Sequence, residues 1–152
     1  MKSLLLALTS CISIACMGQL SQDEDSVRKV VIAFQQDFND GGFKNAVNYT
    51  TSDWEHINPF GGITSGRDEV LKEVRTVHQT FLKGVTTTIE SMTVRFLTPD
   101  VAIANVIHKG SAIEISSDVK YQNPKSFKTY IIIKKKGKWL LTHDQATIIK
   151  EP

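Results

Sequence analysis

One switch of hydrophobic period restricts this chain more than any other feature. Up to Lys83 the apolar residues recur mainly at helical spacing; from Thr86 onward no helical stripe appears. The later part divides into Thr86 to Leu97, Val101 to Ile113, Ser126 to Lys136 and Lys138 to Ile149, all rich in Val, Ile, Thr and aromatic residues. Thr98-Pro99-Asp100 and Lys136-Gly137-Lys138 are short turns, so the strands on either side of each should pair antiparallel as hairpins. Helices first and a meander afterwards predict an α+β domain, with helices covering one face of a curved antiparallel sheet. The longest polar connection, Glu114 to Pro124, is a candidate rim or lid.

Within the first part, Val27, Val30, Val31, Phe34 and Phe38 form one helical stripe, led by Asp23, Glu24 and Asp25 and stopped by Asp40-Gly41-Gly42. A short helix from Phe43 to Tyr49 is expected next. Trp54 to Phe60 reads as a strand ended by Pro59 and Gly61-Gly62. A second long helix is predicted from Ser65 or Gly66 to Lys83, with Ser65 as a cap and Val70, Leu71, Val74, Val77, His78 and Phe81 as its buried stripe. His78 is expected to be a hydrogen-bonded core histidine.

Residues 1–18 carry one charge, Lys2, ahead of an apolar stretch that is short for a hydrocarbon layer of about 30 Å. With small residues at its end, the segment reads as a secretory leader cleaved before Gln19, leaving residues 19–152 as one domain, secreted or periplasmic. Lipoprotein anchoring is the competing version, since Cys11 and Cys16 each follow small residues. Cleavage before Gln19 would remove both cysteines, and with them any disulfide or thiol chemistry. No membrane span is expected. A formal charge of +2 gives no basis for a polyanion surface, so nucleic acid is not an expected partner.

The run from Asp53 through Asn58-Pro59-Phe60-Gly61 to Gly66-Arg67, the hairpin segment Phe96-Leu97-Thr98-Pro99-Asp100-Val101-Ala102, and Lys136-Gly137-Lys138-Trp139-Leu140-Leu141 entering the last strand resemble the SnoaL-like and SgcJ/EcaC branches of the nuclear transport factor 2-like superfamily. The resemblance covers residues 24–149. It implies a cone-shaped sheet wrapped around the first helix, a cystatin-like roll, with an apolar cavity open at one end and commonly a homodimer. Relatives of that shape include ketosteroid isomerases, polyketide cyclases, dehydratases and non-catalytic binding domains, so the shape does not name a reaction. Where such relatives are catalytic, the resemblance implies proton transfer beside a carbonyl by an Asp or His. The last strand departs from a common pattern, having Gln145-Ala146-Thr147 where an asparagine is usual before threonine.

Strict alternation along that strand separates Trp139, Leu141, His143, Gln145 and Thr147 from Leu140, Thr142, Asp144, Ala146 and Ile148. The His143 face is expected to line the cavity. His143 is then a candidate general base, tuned by Asp37 or Asp53; the plainer reading makes His143 a histidine satisfied by a backbone carbonyl or solvent, Asp37 the edge of the helical stripe and Asp53 a cap on the turn into the first strand. Phe34, Phe38, Trp54 and Phe60 are candidate walls, and His56, Asn58, Tyr130 and Gln145 candidate polar contacts. His108 belongs to either the cavity or a dimer face. Ile103 and Ile131 on the outer sheet face argue for a homodimer.

Other chemistries lack their patterns. The four histidines have no HxH or HExxH spacing, so no metal is predicted, and no GxGxxG, GK[ST] or GxSxG sequence occurs, so no cofactor is expected either. Lys134-Lys135-Lys136 and Lys138 read as a solvated hairpin tip. Three functions fit: binding of a small apolar or carbonyl-bearing ligand, cofactor-free isomerase, cyclase or dehydratase chemistry, or an interaction module. An enzyme would place a histidine or aspartate in the cavity; a module would have the cone filled.

Overall fold

The computed structural model describes residues 3–116 and 119–150, with side chains described for 20–114 and 122–150. The first helix, α1, runs Ser3–Asp40 without a break. The side chains of the expected leader, residues 1–18, lie outside the described set. Val27, Val30, Val31 and Phe34 of the predicted stripe are buried, and α1 stops where Gly41 takes a left-handed φ of 68°. Phe43, at φ 48°, turns its ring into the core, so α2 begins only at Ala46 and spans Ala46–Tyr49.

Strand β1 is Thr50–Ile57, starting earlier and ending sooner than the sequence suggests. Its end is built by Asn58, whose side-chain oxygen accepts from the backbone N–H of Phe60 (3.0 Å) and Gly62 (3.1 Å). This turn leads into a three-residue strand, β2 (Ile63–Ser65), too short to show a period. Helix α3 is Arg67–Gln79. Ser65 does not cap it; its hydroxyl pairs with Glu55. The helix ends before Lys83, so Phe81 lies beyond it, and only Val70, Leu71 and Val74 of the stripe are buried.

The long strands lie close to their expected places: β3 (Thr87–Thr98), β4 (Val101–Gly110), β7 (Lys125–Lys135) and β8 (Lys138–Ile149). Lys136 and Gly137 both have positive φ, the backbone of a two-residue hairpin whose twist suits the strands it joins. Between β4 and β7 the polar connection forms a small separate pair, β5 (Ile113–Ser116) and β6 (Val119–Tyr121).

The main sheet has the order β2-β1-β8-β7-β4-β3 and is curved but unclosed. It is not wholly antiparallel: β1 runs parallel to β8, because these strands are joined through the entire meander and not by a hairpin. α1 packs against β3, β4 and β8. Along β4, Ala102, Ala104, Val106 and His108 face inward, and along β7 Lys128, Tyr130 and Ile132 do. On β8, Ile131 pairs with His143 and Ile132 with Leu141, so Thr142 is an extra, bulged residue. The bulge shifts the alternation by one. Trp139 and Leu141 point inward before it, and after it Asp144 does, which corrects the expected His143 face.

Candidate functional site

Helix α1, helix α3 and the concave face of the sheet enclose a cavity of about 230 Å³. Phe34, Phe38, Phe43, Val74, Val77 and Val85 supply much of its wall. Phe34 anchors the aromatic layer, its ring meeting those of Phe43, Trp54 and Tyr130 edge-on at 5.7, 6.2 and 5.5 Å. Asn58 and Thr64 donate to the two carboxylate oxygens of Glu73, tying the β1–β2 turn to α3 beside the cavity. Phe60 of that turn lines the cavity and is 70% exposed, so it stands at the mouth.

Among the walls sits a buried charged cluster. Asp144 is wholly buried; its Oδ1 accepts from the Trp54 indole N–H (2.6 Å), and its Oδ2 lies 2.9 Å from His56 Nδ1 and 2.7 Å from Lys128 Nζ. His56 and Lys128, 8% and 7% exposed, both line the cavity. Burial alone would raise the Asp144 pKa; the Lys128 ammonium and then His56 outweigh it and hold the carboxyl well below the usual range. Burial pulls Lys128 below an ordinary lysine while Asp144 opposes that shift. Its ammonium lies 3.8 Å from the centre of the Phe34 ring, a cation–π contact.

Beside the cluster, His108 Nε2 and the Tyr130 hydroxyl lie 2.9 Å apart. Burial, then Lys128, lowers the His108 pKa to about 4, so its ring is neutral at pH 7. Burial and the Asp144 charge raise Tyr130 well above 10, keeping it a phenol. Because a carboxylate oxygen can only accept, His56 Nδ1 carries the hydrogen, and in the neutral ring Nε2 is the basic nitrogen. The cluster therefore offers a base, an ammonium and a phenol at one apolar cavity.

Of the sequence-derived candidates, Phe34, Phe38, His56, Asn58, Phe60 and Tyr130 line this cavity. Trp54 lies behind it as a donor to Asp144, and Gln145 is exposed. The three candidate acid–base residues lie elsewhere. The bulge turns His143 outward, where Nδ1 meets Glu55 Oε1 at 3.0 Å. Asp37 is buried and accepts from the Asn45 backbone and side chain and from Tyr49 O–H, fastening α2 to α1. Asp53 is exposed, its carboxyl lowered by a hydrogen bond from Thr51. His108, left undecided from sequence, is on the cavity side.

Asp144 and Lys128 were not among those candidates. Lys128 has a readable signal, since it is a charged residue in phase with Tyr130 and Ile132 on a half-buried strand. Asp144 has none without knowledge of the bulge. Among the described residues no group of three or more His, Cys, Asp or Glu side chains is placed to hold a metal, and no helix is long and apolar enough to cross a membrane.

No protein-family model matches the sequence, and none of the curated proteins is significantly similar to it. Solved structures are similar in shape. An uncharacterized protein with a cystatin-like fold from Caulobacter vibrioides superposes with a TM-score of 0.78 at 18% identity, over 84% of this chain and 89% of that one. An NTF2-like protein with a cystatin-like fold from Novosphingobium aromaticivorans gives 0.75 at 13%, over 91% and 90%. A ketosteroid isomerase-like protein from Erwinia carotovora atroseptica gives 0.70 at 17%, over 84% and 96%. The chain has the nuclear transport factor 2-like, cystatin-like fold.

Proposed function

We propose that this chain binds a small, largely apolar molecule with a carbonyl-type head, the body among the phenylalanines and the head on His56 and Lys128. The observation that carries this reading is the joining of both residues to one buried carboxylate, Asp144, beside an otherwise apolar cavity. Taking those charges out of water is costly, and apolar residues would stabilise a purely structural core at least as well. Function explains why they are there.

A second reading has its own observation. Asp144 fixes the hydrogen on His56 Nδ1, which leaves Nε2 as a general base, with the Lys128 ammonium available to a developing enolate oxygen and the Tyr130 O–H joining it in the tautomer where His108 Nε2–H donates to the phenol oxygen. That is cofactor-free proton transfer beside a carbonyl. The fold shared with a ketosteroid isomerase-like protein supports the same chemistry.

One compound tests both. Saturable binding of 2-acetonaphthone, followed by ligand-observed NMR, is expected; failure of any naphthyl carbonyl compound to bind would overturn the binding reading. In deuterium oxide, enzyme-dependent exchange of its methyl protons is expected, slowed about a hundredfold to ten-thousandfold by His56→Ala. Binding with exchange only at the solvent rate would overturn the catalytic reading.

Two further parts of the reading concern where the protein works. Residues 1–18 act as a leader for secretion or the periplasm, checked by whether the exported protein begins at Gln19. The half-buried Ile103 and Ile131 of the outer sheet face support a homodimer, and sedimentation as a monomer at micromolar concentration would count against it.

A further inference from the structure

The carboxylate oxygens at the cavity already have their donors, while a cation beside them keeps donor capacity. Glu73 is the one carboxylate among its described lining residues, and both its oxygens are occupied by Asn58 and Thr64. Asp144 stands behind the wall with both oxygens engaged by Trp54, His56 and Lys128. Lys128 is different. An ammonium has three hydrogens and no lone pair; one goes to Asp144 and one side rests on the Phe34 ring, so donor capacity remains towards the cavity. His56 has its Nδ1–H committed to Asp144, and its Nε2 becomes a second donor on taking up the proton that a carboxylic acid gives up as it ionises in the site.

We propose that the ligand's head is a carboxylate, so that the chain binds a small apolar carboxylic acid in its ionised form, held by Lys128 Nζ and His56 Nε2. This rests on the binding reading above and narrows it to one ligand class. Two oxygens with four lone-pair sites match two donors, whereas a primary amide would set its own N–H against them. The aromatic layer around Phe34, Phe38 and Phe43 suits a flat apolar body. In a site this buried, the charge-assisted bonds escape most of the screening that weakens surface pairs.

The test compares three probes of one shape, 2-naphthoate, 2-naphthamide and 2-acetonaphthone, by calorimetry on the full chain. The wild type is expected to bind 2-naphthoate at least about tenfold more tightly than the amide or ketone, at low and high salt alike. The double variant Lys128→Met with Asp144→Asn, which removes both charges together, is expected to bring the three within about twofold. Equal binding of the three by the wild type overturns the carboxylate assignment while leaving the binding reading in place; binding of none overturns both. A naphthoate preference that survives the double variant, or that high salt abolishes in the wild type, puts the anion on a surface lysine and overturns the assignment. Should the double variant fail to fold, the wild-type preference and its salt dependence decide.

Discussion

Replacing Asp144 with asparagine keeps the shape of the side chain and removes its charge at the point where three donors converge. An amide has one acceptor oxygen. If that oxygen faces His56 Nδ1 and Lys128 Nζ, the amide N–H₂ is turned on the Trp54 indole N–H; if it faces Trp54, two donors meet the N–H₂ group. Either way a donor is left facing a donor, and Lys128 becomes a buried cation without its counter-ion. Loss of one member of a buried charged pair costs about 3 to 5 kcal/mol. Urea unfolding followed by tryptophan fluorescence measures this, because both tryptophans of the chain, Trp54 and Trp139, are buried. Adding Lys128→Met should recover part of the loss by removing the stranded cation. A loss below about 1 kcal/mol for Asp144→Asn alone would show that the cluster is not assembled as described.

Asp37→Ala should destabilise by about 2 to 4 kcal/mol by stranding Tyr49 O–H and the Asn45 donors, with ligand affinity unchanged in the folded fraction; urea titration beside calorimetry separates the two effects. His143→Ala removes a partly exposed pair with Glu55, so less than about 1 kcal/mol and no loss of binding or exchange are expected in the same assays. His108 is neutral when folded down to about pH 4, whereas an unfolded histidine takes a proton near 6.5, so the unfolded chain binds more protons between those values. Stability present above pH 6.5 is therefore lost as pH falls towards 4; His108→Gln should flatten the urea midpoint across that window. Further loss follows below the unfolded carboxyl value of 3.8 as Asp144 is forced to protonate.

The helical stripe of α1 and the four long strands were legible because each is punctuated by local chemistry: glycines after Asp40, Pro99 in one hairpin, Lys136-Gly137 in the other. The parallel pairing of β1 with β8 was not, since it joins segments some ninety residues apart and leaves no local pattern. At the site, Phe34 and Phe38 could be found from the helical stripe and His56 and Tyr130 from alternation, because the second half of β1, from Trp54 on, and the middle of β7 keep a regular phase. A single extra residue, Thr142, exchanges the roles of His143 and Asp144; alternation read through a bulge places the wrong neighbour inside. Asp37 shows the opposite limit. Its burial could be suspected from its place beside the stripe, but only coordinates show Asn45 and Tyr49 saturating it.

The most direct measurement of the central claim, that the ring of His56 and not of His143 meets the ligand, is an imidazole nitrogen-15 spectrum of the wild type titrated with 2-naphthoate and with 2-acetonaphthone. The Nε2 resonance of His56 should move to saturation with ligand while both resonances of His143 stay in place. Movement of His143 with His56 unchanged, or no response from either ring at concentrations that saturate binding, would contradict the account.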